Sequence, residues 1–446
     1  MSRSPFSARP RERENAGRPV AATAARSEKK SPVRVARRVA SVTLVATIGL
    51  ACSSAGARPR ATATPVVGNA PGVLLPAAPR TPSATQRLAI RDTVQAVVLR
   101  AIADSAFPGA YAVIGNSRGI IAEFGAGKLD AADATRPSDR TVWDMASMSK
   151  LVSTTSAMIQ LVASKRVVID SPVVYYLPSW KAAGTERITV KHLLTHSSGL
   201  PAGRPLYKEA DTDTAARTIV YATSPVAPPG TKYVYSDLGF ILLGRLVQQV
   251  TGQPLDQYVE QHVFGPLKMT DTRYLPPASW VPRIAPTEID PWRGRHIRGE
   301  VHDENASRLG GVAGHAGLFS SARDIARFAE LYLSGGMIDG KRIFETATVN
   351  QFIAIQDNSL SHRALGWETA NGTNSAGHRL ASVSFGHTGF TGTSLWMDPT
   401  RDLFVLLLSN RVNPTRTNLK ISGVRVALAD GVVGALEGPP AAAPAR

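Results

Sequence analysis

Ser147-Met148-Ser149-Lys150 sets a hydroxyl and an amine three residues apart, a spacing that on a helix places both groups on one face. A serine hydroxyl is a weak nucleophile at neutral pH, so a hydrolase needs a base beside it. A lysine held neutral by burial or by neighbouring charge can serve. Residues 153–163 carry Met158, Leu161 and Val162 with no Gly or Pro, the pattern of a buried helix. Ser147 then stands at that helix's N-terminus, where backbone N–H groups and the helix dipole favour a developing oxyanion. Alone the spacing is weak evidence. Ser27-Glu28-Lys29-Lys30 repeats it inside a basic tail, and an N-cap serine followed by an exposed lysine is the competing structural explanation.

Two further stretches carry matching chemistry. Pro228-Pro229-Gly230 turns the chain into Tyr235-Ser236-Asp237, after which Leu238, Leu242, Leu246 and Val250 mark one helix face closed by Gly252. A phenol just ahead of a helix N-terminus and near a protonated lysine loses its proton more readily and can act as a general base. The structural alternative makes Tyr235 a core-edge residue and Asp237 a first-turn acid. Gly386-His387-Thr388-Gly389 lies on a strand-like run, where glycines let a ligand approach the backbone closely.

Other candidates carry structure instead. Gly115-Asn116-Ser117-Arg118-Gly119 fits the GxSxG frame, but a nucleophile elbow needs strand, turn and helix, whereas this stretch joins the strand-like runs 110–114 and 119–124. It is expected to be a hairpin turn. His196-Ser197-Ser198-Gly199-Leu200-Pro201 reads as a helix stop terminated by Gly199, structural and not chemical. Trp292, His296, His302, Asp303, Asn305 and His315 tempt a metal assignment, yet no HExxH or paired-His spacing supports one, so no metal site is expected.

The elements that must position these groups follow from periodicity. A first helix over 83–103 carries apolar Leu88, Val94, Val97 and Val98, and helices follow at 190–195, 212–221, 237–250 and 254–264. Ser321-Ala322-Arg323-Asp324 resembles a capping box for a helix to Leu333, ended by Gly335-Gly336. Strand-like runs at 383–388, 393–397 and 402–409 precede an amphipathic helix over 418–436. The expected class is α/β of the α+β kind, an antiparallel sheet flanked by the first and last helices.

Composition narrows the function. The chain has 446 residues, 43% of them hydrophobic, enough for one large or two ordinary cores. Its net charge of +17 is concentrated at one end: residues 1–80 hold 14 Lys/Arg against 3 Asp/Glu, leaving 37 against 31 for the rest. No helix in the body shows a basic stripe interleaved with aromatics, so nucleic acid is not an expected partner. The single cysteine, Cys52, excludes an internal disulfide and a cysteine nucleophile in the body.

Residues 1–52 read as a basic n-region, ending in Arg37-Arg38, and a signal peptide whose apolar run 39–51 is too short to span a bilayer. Cys52 at the end of that run resembles the lipidated cysteine of a bacterial lipoprotein. An ordinary secretory signal with an incidental cysteine is the alternative, as is an overextended start of the reading frame. Residues 53–83, aperiodic in Ala, Pro, Arg, Thr and Gly, are expected to be a flexible tether, 84–436 the folded domain and 437–446 a disordered tail.

Ser147-Met148-Ser149-Lys150, Tyr235-Ser236-Asp237 and His387-Thr388-Gly389, in that order, resemble the serine beta-lactamase and penicillin-binding protein superfamily. The likeness is to its class C branch, with DD-peptidases, D-aminopeptidases and beta-lactamase-like esterases. It spans about residues 83–436 and includes the 194–201 stretch. It implies a beta-lactamase/transpeptidase-like fold with an inserted helical subdomain over about 146–310 and a cleft between the two parts.

The same resemblance implies Ser147 as the acylated nucleophile, Lys150 as its proton-managing partner and Tyr235 as the base that also protonates the leaving group. The oxyanion would sit between the N–H groups of Ser147 and Phe390, and Asp237, His387, Thr388, Gly389 and Phe390 would meet the substrate. Asp237 stands where relatives carry Asn, which removes an amide donor and adds an acceptor-only charge. His387 stands where relatives carry Lys. With a reference pKa of about 6.5 it would hold a substrate carboxylate only part of the time, unless it is a satisfied core histidine. No cofactor is implied.

The expected activity is that of an exported serine acyl-hydrolase at the periplasm or cell surface, acting on peptidoglycan-like D-Ala peptides, beta-lactams or esters. The membrane would be reached through a lipid anchor. The rival is a non-hydrolytic cell-envelope binding protein that keeps the fold.

Overall fold

A computed structural model describes residues 75–371 and 374–438, so Cys52 and the expected export signal lie outside the described residues. Its principal sheet has six strands: β1 (Gly109–Asn116), β2 (Gly119–Gly127), β3 (Glu368–Thr369), β4 (Phe385–Thr388), β5 (Ser394–Asp398) and β6 (Leu403–Ser409). They are ordered β3-β4-β5-β6-β1-β2, and every neighbouring pair is antiparallel. All of β1 and β6 is buried, because helices cover both sides. This explains why Leu403 to Leu408 is a near-continuous apolar run without a period of two.

One sheet face packs on α1 (Ala84–Ala103) and on the last helix, Ile421–Glu437. There Ile90, Val94 and Val98 meet Leu428, Val432 and Val433 over Ala112, Ile114 and Leu407. Leu88, expected on the buried face, is 51% exposed, since the face that reaches the sheet runs through Ile90, Val94, Val98 and Ala101. The other sheet face carries Val113, Leu406 and Leu408 into a larger core shared with the mostly helical stretch that follows Val142–Asp144. That stretch includes α2 (Ser156–Ala163), α3 (Asp237–Thr251) and α4 (Ala322–Leu333), and no break in apolar packing separates it from the sheet.

Three sequence expectations need correction. The tether cannot extend to residue 83: Leu75 and Ala77 are buried, Leu75 N–H donates to Asn350 and Ala77 N–H to Leu333 O. At the other end Glu437 closes the last helix and pairs with Arg379 and Arg401, so it belongs to the domain and not to a tail. Ser321 caps α4 through the N–H of Asp324, but the Asp324 carboxylate turns to Asp271 N–H and the Thr272 hydroxyl, so the reciprocal half of the box is missing.

Candidate active site

Ser147 is the one partly exposed residue in an otherwise buried run from Thr141 to Lys150. It does not sit on a regular α-helix. Ala146–Met148 form a 3-10 turn, Lys150–Thr155 are wound wide as a π-helix, and only then does α2 begin. Single-turn π segments recur at functional sites, and this one begins at Lys150. Ala146, just ahead of the serine, has φ +45°, a left-handed conformation that alanine adopts only when its surroundings impose it. They do: Ala146 N–H is held by Asp144 Oδ1 at 2.8 Å, and Asp144 also accepts the N–H of His302 at 2.6 Å.

Lys150 is fully buried, with Nζ 3.0 Å from Ser147 Oγ and 3.1 Å from His315 O. Asp237 Oδ1 lies 2.7 Å from the same nitrogen, poorly aligned for a hydrogen bond but close for an ion pair. Nζ is also 5.0 Å from the centroid of the Tyr235 ring. Burial pushes this amine down, but Asp237 and Tyr235 outweigh burial and raise it above its ordinary value. That direction is opposite to the one that would hold the amine neutral. Behind the amine, Asp303 accepts from His315 at 3.0 Å; desolvation pushes this partly exposed carboxyl up, but His315, the N–H of Ala306 and Lys150 outweigh it and hold it below the carboxylate range.

Tyr235 reaches the site from the residue before the N-cap of α3. His196, read from the sequence as a structural stop, fixes it there: His196 O accepts Val234 N–H and His196 Nδ1 accepts Ser236 N–H. The ring of His196 lies 4.4 Å from that of Tyr235. His196 itself adopts φ +56° and ends the preceding helix, Val190–Leu194, so the terminator is His196 and not Gly199. Burial first, then Arg363 and Lys150, push the His196 imidazole well below its usual range, so it is a neutral acceptor.

His387 on β4 is buried 5.9 Å from Tyr235, and its Nδ1 donates to Thr388 O at 2.7 Å. Burial, then Arg363 and Lys150, push it well below the ordinary histidine range. The part-time cation expected here is a neutral ring. At this end of the site lies the buried guanidinium of Arg363, 5.4 Å from the Tyr235 ring and 3.8 Å from the Glu368 carboxylate. No periodicity or motif surrounds Arg363, and sequence reasoning missed it.

Thr388 ends β4, and Gly389 N–H donates to Thr393 O in the turn that follows. A side chain at Gly389 would collide with Met145 O at 2.5 Å and with Thr393 Oγ1 at 2.1 Å. Glycine is thus needed for the approach of this turn to the Met145–Ala146 backbone, where the sequence suggested room for a ligand. Thr391 and Thr393 hydroxyls donate to Asp144 O and Met145 O, and Arg425 from the last helix donates to Gly389 O and Thr393 O. Burial lowers this arginine to about 9. Phe390 is 46% exposed at the turn's apex.

Ser147, Lys150, Tyr235, Asp237 and the 387–390 stretch therefore converge from three separated parts of the chain. Ser117 is remote in role: it occupies the β1–β2 turn, with its N–H and hydroxyl both given to Asp402. His302 and His315 pair with Glu288 and Asp303, and no cluster of His, Cys, Asp or Glu among the described residues could hold a metal ion.

This arrangement defines a class. The chain belongs to the beta-lactamase family, whose model, described as "Beta-lactamase", matches residues 93–428. It is 34% identical over 348 residues to an N-acetylmuramyl-L-alanine amidase of Bacillus subtilis (strain 168), covering 68% of this chain and 77% of that one. It is 32% identical over 303 residues to a protein of Escherichia coli (strain K12) named "Putative D-alanyl-D-alanine carboxypeptidase", covering 61% and 69%. In structure it is similar to EstCE1, a hydrolase with promiscuous acyltransferase activity, at a TM-score of 0.65 and 19% identity over 78% of this chain and 99% of that one. That last likeness shows the fold alone.

Proposed function

We propose that the protein is an exported serine acyl-hydrolase that works through an acyl-enzyme on Ser147. The observation that carries this reading is the buried Lys150 Nζ, 3.0 Å from Ser147 Oγ and 5.0 Å from the Tyr235 ring centre. A buried ammonium shared by a hydroxyl and a phenol favours the anion of either, so a proton can leave Ser147 for Tyr235 and pass on to the leaving group. Attack by Ser147 Oγ on the acyl carbon forms one bond and breaks that to the leaving group. Water then gives a proton to the same phenolate and attacks the acyl carbon; the bond to Ser147 Oγ breaks, the acid leaves, and Tyr235 returns the proton to Ser147 Oγ. The oxyanion is placed at the N–H groups of Ser147 and Phe390, and Asp237, His387, Thr388 and Gly389 line the substrate side.

The substrate class is an amide or ester of peptidoglycan type, D-Ala peptides foremost, with simple esters and beta-lactams as further acyl donors of a class C-like site. The names of the amidase and carboxypeptidase relatives support the first. Intact-protein mass spectrometry after exposure to a penicillin, a D-Ala-D-Ala peptide and a neutral ester tests this. The expected result is an adduct on Ser147 with at least one of them and turnover of a peptide or ester. A permanent adduct without turnover of any would instead establish the non-hydrolytic binding protein.

The site of action proposed is the periplasm or cell surface, with Cys52 as the lipid anchor, since that cysteine closes the apolar run 39–51. Cys52→Ala is expected to move the exported protein from the membrane to the soluble fraction. A variant that stays with the membrane removes the anchor.

A further inference from the structure

Glu288, His302 and Arg416 are given no part in the chemistry at Ser147, yet they form an engaged cluster beside it, with Glu288 and His302 buried and Arg416 partly exposed. His302 Nε2 donates to Glu288 Oε2 at 2.8 Å, and Arg416 Nε reaches the same oxygen at 2.7 Å. Burial pushes the Glu288 carboxyl up, but these two donors outweigh it and hold it below the ordinary range. The pair is thus fixed as a carboxylate with its donors, and the His302 ring is set by it. That ring stacks on Phe390, 5.6 Å between centroids at 27°. The Arg411 guanidinium lies 4.4 Å from the Phe390 ring centre, and its Nε donates to Phe390 O at 2.7 Å. Phe390 is 46% exposed, so burial alone does not fix its ring.

The same residue ties the other end. His302 N–H donates to Asp144, the carboxylate that also holds Ala146 N–H, while Asp144 O accepts from Thr391. One short path therefore joins Glu288, His302, the Phe390 turn and the segment bearing Ser147. We infer that Glu288 and His302 are positioning residues that clamp the Phe390 ring and so preset the backbone of the 389–391 turn against Ser147. The acyl-transfer oxyanion then meets an N–H already in place. The inference rests on the acyl-hydrolase reading.

The test is pre-steady-state acylation of the full-length protein by p-nitrophenyl acetate, with KM and kcat measured separately and Ser147 labelling by a fluorophosphonate as reference. His302→Ala, which removes the stack, is expected to slow acylation about 10- to 100-fold, the scale of a displaced oxyanion donor, with little change in KM. His302→Phe keeps a stacking ring and should recover most of that loss. Phe390→Ala should match His302→Ala, and the double variant should lose little more, because both act through one ring. Should His302→Ala not fold, Phe390→Ala, with its half-exposed ring, carries the test against Phe390→Leu. Wild-type acylation rates in His302→Ala or in Phe390→Ala, or multiplicative losses in the double variant, overturn the clamp. A wild-type protein that is not labelled at Ser147 overturns the acyl-hydrolase reading itself, a different result.

Discussion

Ser147→Ala is expected to abolish covalent labelling by a fluorophosphonate and to reduce turnover by about 10⁵-fold or more, the scale on which loss of a nucleophile acts. Ser117→Ala should leave both intact. The two serines differ in what surrounds them, not in their local sequence appeal. Ser147 lies 3.0 Å from a buried ammonium, follows a strained φ +45° residue, and is the exposed point of a buried segment. Ser117 sits in a hairpin turn, where its hydroxyl donates to Asp402 Oδ2 at 2.9 Å. Its loss should cost about 1 kcal/mol of stability, an ordinary hydrogen bond, and no chemistry. Peptide mapping of the labelled protein decides it: label that survives in Ser147→Ala and vanishes in Ser117→Ala would overturn the site.

The motifs that converge here were legible because each is short, local and made of residue types with few structural uses. A serine and a lysine three apart, a tyrosine before a capped helix and a histidine between strand glycines survive any change of tertiary context as patterns. The strands and the two outer helices were legible for the same reason, through runs and periods. What could not be read is what packing imposes. Nothing in Lys150 to Thr155 announces a π-helix, and alanine at 146 has no preference for φ +45°; the latter goes with the tie of Ala146 N–H to Asp144, which also holds the loop at His302. The ionisation of His387 and Lys150 depends on Arg363 and Asp237, which reach the site from elsewhere in the chain. His196 was read as punctuation because its local role is punctuation. Its contact with Tyr235 exists only in the fold.

Lys150→Met and Tyr235→Phe are each expected to slow acylation by about 10²- to 10⁴-fold, the range of a lost proton-transfer partner, with the double variant little worse than the poorer single one. The coupling follows from charge. Lys150 Nζ is held between Ser147 Oγ, Asp237 and the Tyr235 ring, and these neighbours raise its affinity for a proton despite full burial. Without the Lys150 cation, a phenolate at Tyr235 keeps only the Arg363 guanidinium, 5.4 Å from its ring; without the phenol, the cation has no base to serve. Tyr235→Phe keeps the ring that packs on His196, so its loss should be kinetic and not structural. In Lys150→Met the Asp237 side chain is 31% exposed and can be hydrated, which limits the cost of leaving it unpaired. The sign of the pH effect on stability is fixed by direction. The folded-state value of Lys150 is raised, so its contribution is complete below the ordinary lysine value near 10.5 and is lost as pH rises through the raised one. Across neutral pH the lysine therefore stays charged, and no limb of the rate profile there should disappear with Lys150 alone. Stopped-flow acylation of the four proteins measures the coupling, and losses that multiply in the double variant would separate the two residues into independent roles.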